Sequence, residues 1–289
     1  MPPESVTALL RQAESALARS PHPDRARADA ELLLRHAVGQ SRAWLLAHAD
    51  DPLDADTAAR FHSLLHRRIL GEPVQYILGE AEFHSLTLAV NPSVLIPRPE
   101  TELLVERVLA FLAQTKIPAP RLLDIGTGSG AIAIACAVAN PTAQITAVDL
   151  SPASLAVARQ NAARHHVAAR ITFRESDLFA ALTGERFHCI ASNPPYVPLA
   201  DAATLAAEVR DHEPALALFA GPDGLDLYRR LIPAARQHLH PGGLLALEIG
   251  FGQRDAIAAL LADSRFHQIE FLSDYQQIPR IATAIQPQP

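Results

Sequence analysis

The residues able to do chemistry sit at the ends of apolar runs. Cys189-Ile190-Ala191-Ser192 leads into Asn193-Pro194-Pro195-Tyr196. Two prolines fix their φ angles and have no N–H to donate, so this turn offers carbonyl acceptors and one side-chain amide to whatever lies above it. A planar NH₂ group is a poor nucleophile because its lone pair is delocalised. Held through both hydrogens by the Asn193 side-chain oxygen and the Pro194 carbonyl, it could aim that lone pair at an electrophilic methyl, and such positioning accelerates a reaction. Asn193 and Pro194 are then the catalytic residues. Pro195 and Tyr196 complete the substrate site, Tyr196 by stacking on the planar group.

A second constellation lies upstream. Leu122-Leu123-Asp124-Ile125-Gly126-Thr127-Gly128-Ser129-Gly130 is an apolar run entering a three-glycine turn and then an Ala/Ile-rich helix, the context a nucleotide loop needs. Ala131 occupies the place where a dinucleotide fingerprint has its third glycine, and no Gly-Lys-Ser/Thr follows, so neither the pyrophosphate nor the P-loop pattern is met. Gly126 and Gly128 let a ligand lie against backbone amides, with Thr127, Ser129 and Gly130 completing the loop, and Asp124 can accept from a ligand ammonium. Asp149 closes the next strand 23 residues after Gly126, close to the roughly 20-residue interval at which an acid reaches a ribose diol. The alternative for Asp149 is a helix N-cap before Ser151 and Pro152. Asp177 follows a third strand, where it either accepts from an adenine amino group, with Leu178 over the ring, or is a surface loop acid. Three such features after three successive strands suit adenosine joined to an amino acid, with Asn193 facing both this cofactor and the substrate.

Helices over residues 5–78 precede these motifs: Leu9, Leu10, Ala13 and Leu17 recur at three-to-four spacing, Asp24, Ser41 and Asp56 stand at N-cap positions, and Gly39 and Gly71 close two helices. From Glu82 to Ile96 the period becomes two, around Asn91-Pro92-Ser93, which predicts a linking hairpin. A helix over Glu100 to Gln114 then leads into strands at Arg121–Ile125, Gln144–Val148, Arg170–Phe173, His188–Ser192, Leu244–Ile249 and Glu270–Leu272, with helices over Ser129–Ala139 and Pro152–His165. Buried strands separated by helices predict an α/β fold, a mostly parallel sheet covered on both faces, with ligands at the carboxyl ends of its strands. The expected domains are 1–80, helical and suited to substrate docking; 81–96, the hairpin linker; and 97–289, catalytic.

Composition narrows the function further. With 49% hydrophobic and 19% charged residues over 289 positions, the chain is an ordinary globular sequence. Its longest apolar run, Ala131 to Ala139, falls far short of the roughly 18–20 residues of a membrane span, so no membrane association is expected. Two cysteines, Cys136 and Cys189, are too few for a disulfide framework or a thiolate metal cage and point to a reducing cytoplasm. His62 and His66 are spaced i, i+4, but no Glu of a zinc-protease motif lies between them, and no metal is expected. A formal charge of −6 without any block of about five or six like charges argues against direct nucleic-acid binding.

Asp124 to Gly130, Asp149 and Asn193 to Tyr196 together resemble the class I, Rossmann-like S-adenosyl-L-methionine-dependent methyltransferases that act on planar NH₂ groups. Gln75-Tyr76-Ile77-Leu78-Gly79, Leu95-Ile96-Pro97-Arg98-Pro99-Glu100-Thr101-Glu102 and Ala220-Gly221-Pro222-Asp223-Gly224-Leu225 narrow the resemblance to the peptide chain release factor glutamine methyltransferases, over the whole chain. The Pro-Arg-Pro-Glu-Thr-Glu run discriminates best, because DNA and RNA amino-methyltransferases share the Asn-Pro-Pro-Tyr turn. The resemblance implies a seven-stranded sheet, S-adenosylmethionine as cofactor, class 1 release factors as partners, and methylation of the glutamine nitrogen in their Gly-Gly-Gln motif. Leu178 departs from relatives that often carry an aromatic residue there. The competing expectations are an adenine- or guanine-amino methyltransferase acting on DNA or RNA, which should carry a basic groove, and a non-catalytic nucleotide-binding module. Glu100 and Glu102 either brace the loop over the site or simply favour a helix N-terminus.

Overall fold

Three of the N-terminal helices begin where a short polar side chain accepts from a free N–H group. A computed structural model describes residues 4–288. Helix α1 (Val6–Leu17) is capped by Ser5 and buries Val6, Leu9, Ala13 and Leu17. Helix α2 (Ala26–Val38) ends at Gly39, whose φ of +68° is left-handed. Ser41 caps α3 (Arg42–Ala47), and Asp54 caps α4 (Ala55–Ile69) by accepting from the Thr57 N–H at 2.9 Å. Asp56 therefore lies in the first turn of α4 and is not its cap, and Asp24 lies in a single 3₁₀ turn, Pro23–Arg25. Helix α5 (Val74–Leu78) ends at the left-handed Gly79.

Among the described residues these helices form one compact unit, up to Glu80, together with Leu205–His212; the other unit comprises residues 81–204 and those from Glu213 onward. The sequence reading assigns 205–212 to the catalytic domain, and a buried ion cluster explains the difference. Arg68 is almost fully buried and donates to Asp29 at 2.7 Å, to Glu208 at 2.8 Å and to the Glu72 carbonyl at 2.9 Å. A buried guanidinium needs such partners, and one of them lies 140 residues away in sequence.

Next in the chain comes a hairpin of β1 (Glu80–Phe83) and β2 (Leu86–Ala89), turning at His84 and Ser85 with φ of +48° and +60°. The expected turn at Asn91-Pro92-Ser93 follows the hairpin instead. Val94 and Ile96 are buried without forming a strand, and Glu213 accepts from the Ile96 N–H at 3.2 Å. Helix α6 (Glu100–Gln114) leads to β3 (Arg121–Ile125), α7 (Ala131–Ala139), β4 (Gln144–Asp149), α8 (Pro152–Arg164), β5 (Ile171–Glu175) and β6 (Phe187–Ser192). After α9 (Ala207–His212) come α10 (Asp226–His238), β7 (Leu239–Glu248), α11 (Arg254–Asp263), β8 (His267–Ser273) and β9 (Pro279–Ile285).

Seven strands form one sheet in the order β5-β4-β3-β6-β7-β9-β8. The pairs β3–β4, β3–β6, β4–β5 and β6–β7 are parallel, while β9 runs antiparallel to β7 and β8. Adjacent side chains of β3 enter opposite layers: Leu122 packs with Leu104, Val108 and Ile134, and Leu123 with Ile190, Tyr228 and Leu231. Chain direction across the sheet reverses at β3, which opens a crevice at its carboxyl end between the loops after β3 and β6. Ser192 ties the two strand ends together by donating to the Ile125 carbonyl at 2.7 Å. Among the described residues, no helix is long and apolar enough to cross a membrane.

Candidate active site

A cavity of about 450 Å³ occupies that crevice, within the usual range for a small-molecule site. Its wall includes Gly126, Thr127, Gly128 and Ser129 after β3, Asp149 after β4, Asp177 and Leu178 after β5, and Asn193, Pro194 and Pro195 after β6. Four separate strand ends thus converge on one space. Gly126 and Gly128 have φ of +71° and +55°, and a Cβ on either would meet nothing within 4 Å, so these glycines leave an open cradle. Gly130 is different: a Cβ there would lie 2.8 Å from Ile134 Cδ1 and 3.2 Å from Ala158 Cβ, which makes this glycine a helix-packing residue. The expected ligand contact with loop amides needs correction at three positions. Gly126 and Thr127 both donate to the Val148 carbonyl, and Gly128 donates to Asp149 Oδ2 at 2.9 Å.

Asp124 lies behind this loop, fully buried. Its Oδ2 accepts from the Thr127 hydroxyl at 2.7 Å and the Ala133 N–H at 3.2 Å, while Oδ1 has no partner among the described residues. Desolvation by burial pushes the carboxyl up to about 7, against the two hydrogen bonds. A buried carboxylate oxygen without a donor calls for an explanation, which a cationic or N–H group of a ligand would supply, although Asp124 itself stands behind the cavity wall and is not part of it. Asp149 is also raised by burial, opposed by the Ser151 and Gly128 N–H groups. Each of its oxygens holds one of those donors at 2.9 Å and retains a further lone pair for a hydroxyl. The N-cap of α8 is Ser151, not Asp149.

Asp177 is half-exposed and pairs with Arg230 at 2.7 Å. Leu178 adopts a φ of +51°, held by Ser176, whose hydroxyl donates to the Leu178 carbonyl at 2.9 Å and accepts from the Ala181 N–H at 3.0 Å. Strain of this kind in a non-glycine residue persists only where its surroundings enforce it.

At the other wall, Asn193 Nδ2 donates to Thr101 Oγ1 at 3.0 Å, and Thr101 donates to Glu248 Oε2 at 2.6 Å. Tyr196 donates its phenol to Glu248 Oε1 at 3.3 Å, and its backbone carbonyl accepts from Gln253 Nε2 at 2.9 Å. Tyr196 is not part of the cavity wall; it braces the turn from behind, in contrast to the stacking role expected for it. Burial raises Glu248 to about 7, opposed by the Thr101 and Tyr196 hydrogen bonds, and burial also raises the Tyr196 phenol.

Thr101, Glu248, Ser176 and Gln253 escape sequence reasoning, although Glu248 carries a signal: it is the one charged residue ending the apolar run Leu244-Leu245-Ala246-Leu247. Asn161 escapes too. Its Nδ2 donates to the Ser129 and Ala89 carbonyls, both at 2.9 Å, and its Oδ1 accepts from the Ala89 N–H at 2.7 Å, so one side chain fastens the glycine loop to β2. Glu102 accepts from the His84 N–H at 2.8 Å and braces the hairpin turn. Cys136 and Cys189 are buried in the core. Among the described residues, no group of three or more His, Cys, Asp or Glu side chains is placed to hold a metal.

Comparison with known proteins decides the family. Residues 8–79 match the model of the PrmC N-terminal domain and residues 100–210 that of the methyltransferase small domain. The chain is 43% identical to the release factor glutamine methyltransferase of Geobacter sulfurreducens, over 89% of both chains. It belongs to the release factor glutamine methyltransferase family. Its identity to the Koribacter versatilis member is 40% over 98% of both chains, so the likeness includes the N-terminal helices. Among solved structures, the T. thermophilus 16S rRNA N2 methyltransferase, in complex with AdoMet and guanosine, shares the fold with a TM-score of 0.53 at 21% identity, over 72% of this chain and 49% of that one. As a family member, the chain is an S-adenosylmethionine-dependent enzyme, and its residues fit that cofactor. The glycine cradle is open, the orphaned Asp124 oxygen awaits a donor, and no phosphate-binding Lys follows the loop.

Proposed function

We propose that this chain methylates the side-chain nitrogen of the glutamine in the Gly-Gly-Gln motif of class 1 peptide chain release factors. The observation that carries the proposal is that Asn193 and Pro194 share one cavity wall with the glycine cradle and Asp149. S-adenosylmethionine supplies a methyl group on a sulfonium, an electrophile that needs only a well-placed lone pair. Asp149 takes the ribose hydroxyls and the free oxygen of Asp124 takes the ammonium; Asp177 and Leu178 face the adenine. The Asn193 side-chain oxygen and the Pro194 carbonyl accept the two hydrogens of the glutamine NH₂ and turn its lone pair towards the methyl. As the nitrogen–carbon bond forms, the methyl's bond to sulfur would break and its electron pair stay on sulfur as a neutral thioether; the nitrogen gives up one of its protons to solvent, so no side chain has to act as a base.

The family relationship supports the release factor as substrate, and the net charge of −6 supports a protein over a nucleic acid. The N-terminal helical unit, near neutral in charge, docks the body of the release factor. A release factor substrate and the two lone buried cysteines both fit a cytoplasmic enzyme.

The decisive variant is Asn193→Ala. It removes a preorganised hydrogen bond to the reacting group, a loss of about a hundredfold or more in kcat. Cofactor affinity, measured by calorimetry, should change far less. Asn193→Asp keeps an acceptor and should retain part of the activity. Full activity of Asn193→Ala would exclude the assigned role.

A further inference from the structure

Asn193 can serve as an acceptor only if its amide faces the substrate with oxygen and not with nitrogen. The two ends of a side-chain amide are nearly isosteric, so shape alone does not choose between them. Reversed, Asn193 would present two N–H donors to a substrate NH₂ that itself only donates, and the contact would become repulsive. The choice is made behind Asn193, by counting protons. Thr101 has a single hydroxyl proton, and Glu248 Oε2, 2.6 Å away, takes it. Towards Asn193, 3.0 Å away on the other side, Thr101 then offers only lone pairs, and Asn193 must answer with Nδ2. Its oxygen is left facing away from Thr101.

Glu248 is suited to this task. It is buried to 1% exposure, and both carboxylate oxygens receive hydroxyl donors, from Thr101 and Tyr196. Tyr228 does not compete, because its hydroxyl goes to the Glu248 backbone carbonyl at 2.6 Å. Thr101 is likewise buried, at 4% exposure, so water cannot easily substitute for either partner. The three residues come from α6, the turn after β6 and the end of β7, and no local structural requirement explains a carboxyl group at this depth.

We infer that Thr101 and Glu248 are positioning residues that lock the Asn193 amide with its oxygen towards the substrate, an inference that rests on the catalytic role proposed for Asn193. Thr101→Val preserves the shape of the side chain and removes the hydroxyl, so the amide is free to turn over. Thr101→Ser keeps the hydroxyl and the proton count.

The test is a double-mutant cycle in single-turnover methyl transfer to an unmethylated release factor, with cofactor affinity measured in parallel. Thr101→Val should lower the transfer rate by about tenfold to a hundredfold while leaving cofactor Kd and the KM for release factor nearly unchanged, and Thr101→Ser should recover most of the loss. In an Asn193→Ala background, Thr101→Val should cost nothing more, because the residue it positions is gone. Independent, additive losses would overturn the inference. So would a normal rate in Thr101→Val alongside a slow Asn193→Ala, which leaves the role of Asn193 standing. A normal rate in Asn193→Ala would instead overturn the catalytic reading itself, and the positioning role with it.

Discussion

Replacing Asp124 by Asn removes a buried charge while keeping its shape, and the effect on stability should depend on pH in a definite direction. In the folded chain burial holds this carboxyl near 7, against 3.8 for an ordinary aspartate, a gap of about three units. The folded state therefore favours the protonated form. Its stabilising contribution is fully present below 3.8 and is lost as the pH rises through about 7. At about 1.4 kcal/mol per unit, wild type should lose on the order of 3 kcal/mol relative to Asp124→Asn between about pH 5 and pH 8. Asn is neutral throughout, and its oxygen can still accept from Thr127 and Ala133, so it reproduces the protonated state. Melting temperatures of both proteins across this range, without cofactor, read the effect: Asp124→Asn should overtake wild type as the pH rises. Adding S-adenosylmethionine at the upper pH should raise the melting temperature of wild type more than that of the variant, because a ligand ammonium supplies what the orphaned oxygen lacks. A stability difference that stays flat with pH would show that Asp124 is not the desolvated carboxyl described above. Equal cofactor shifts would separate it from the ammonium.

Asp149→Ala should weaken cofactor binding roughly ten- to a hundredfold by calorimetry, since hydrogen bonds to a charged acceptor are worth about 1.5–3 kcal/mol; unchanged affinity in a folded variant would remove Asp149 from the cofactor site. The transfer rate should also rise with pH through about 7, as Glu248 becomes the pure acceptor that fixes Thr101, with Glu100 raising and Arg280 lowering this value around it. Glu248→Gln should flatten that limb, and an unaltered pH–rate profile in the variant would assign the limb to another group.

How far the sequence discloses this enzyme depends on the range of the interactions involved. Helix α6 and strand β3 have the bounds expected from local periodicity, because a run of apolar residues at one period needs no distant partner to declare itself. The G-x-G-x-G loop was equally legible, yet its third glycine turns out to serve helix packing, which becomes visible only once Ile134 and Ala158 close on it. The hairpin is legible but its bounds are not: Val94 and Ile96 look like strand residues because they are buried, while Glu213, 117 residues onward, accepts from the Ile96 N–H. Strand β9 is poorly legible, because Pro279–Ile285 alternates only weakly, yet it is the partner that closes the sheet between β7 and β8. The supports of the active site were the least legible part. Thr101 meets Glu248 across 147 positions, and Asn161 meets Ala89 across 72, and nothing in either neighbourhood announces the pairing. Side chains that touch the ligand fall at strand ends, where the fold rule points; side chains that orient them are recognised only by their partners.

The methyl acceptor proposed for this enzyme is one glutamine nitrogen of a protein. An unmethylated class 1 release factor incubated with this enzyme and S-adenosylmethionine, then digested and sequenced by tandem mass spectrometry, tests it directly. A single added methyl should appear on the glutamine side chain of the Gly-Gly-Gln peptide, and none in a release factor in which that glutamine is replaced by alanine. Methyl incorporation that persists in the alanine-substituted factor, or that appears in tRNA, rRNA or DNA supplied in its place, would rule out this glutamine as the acceptor.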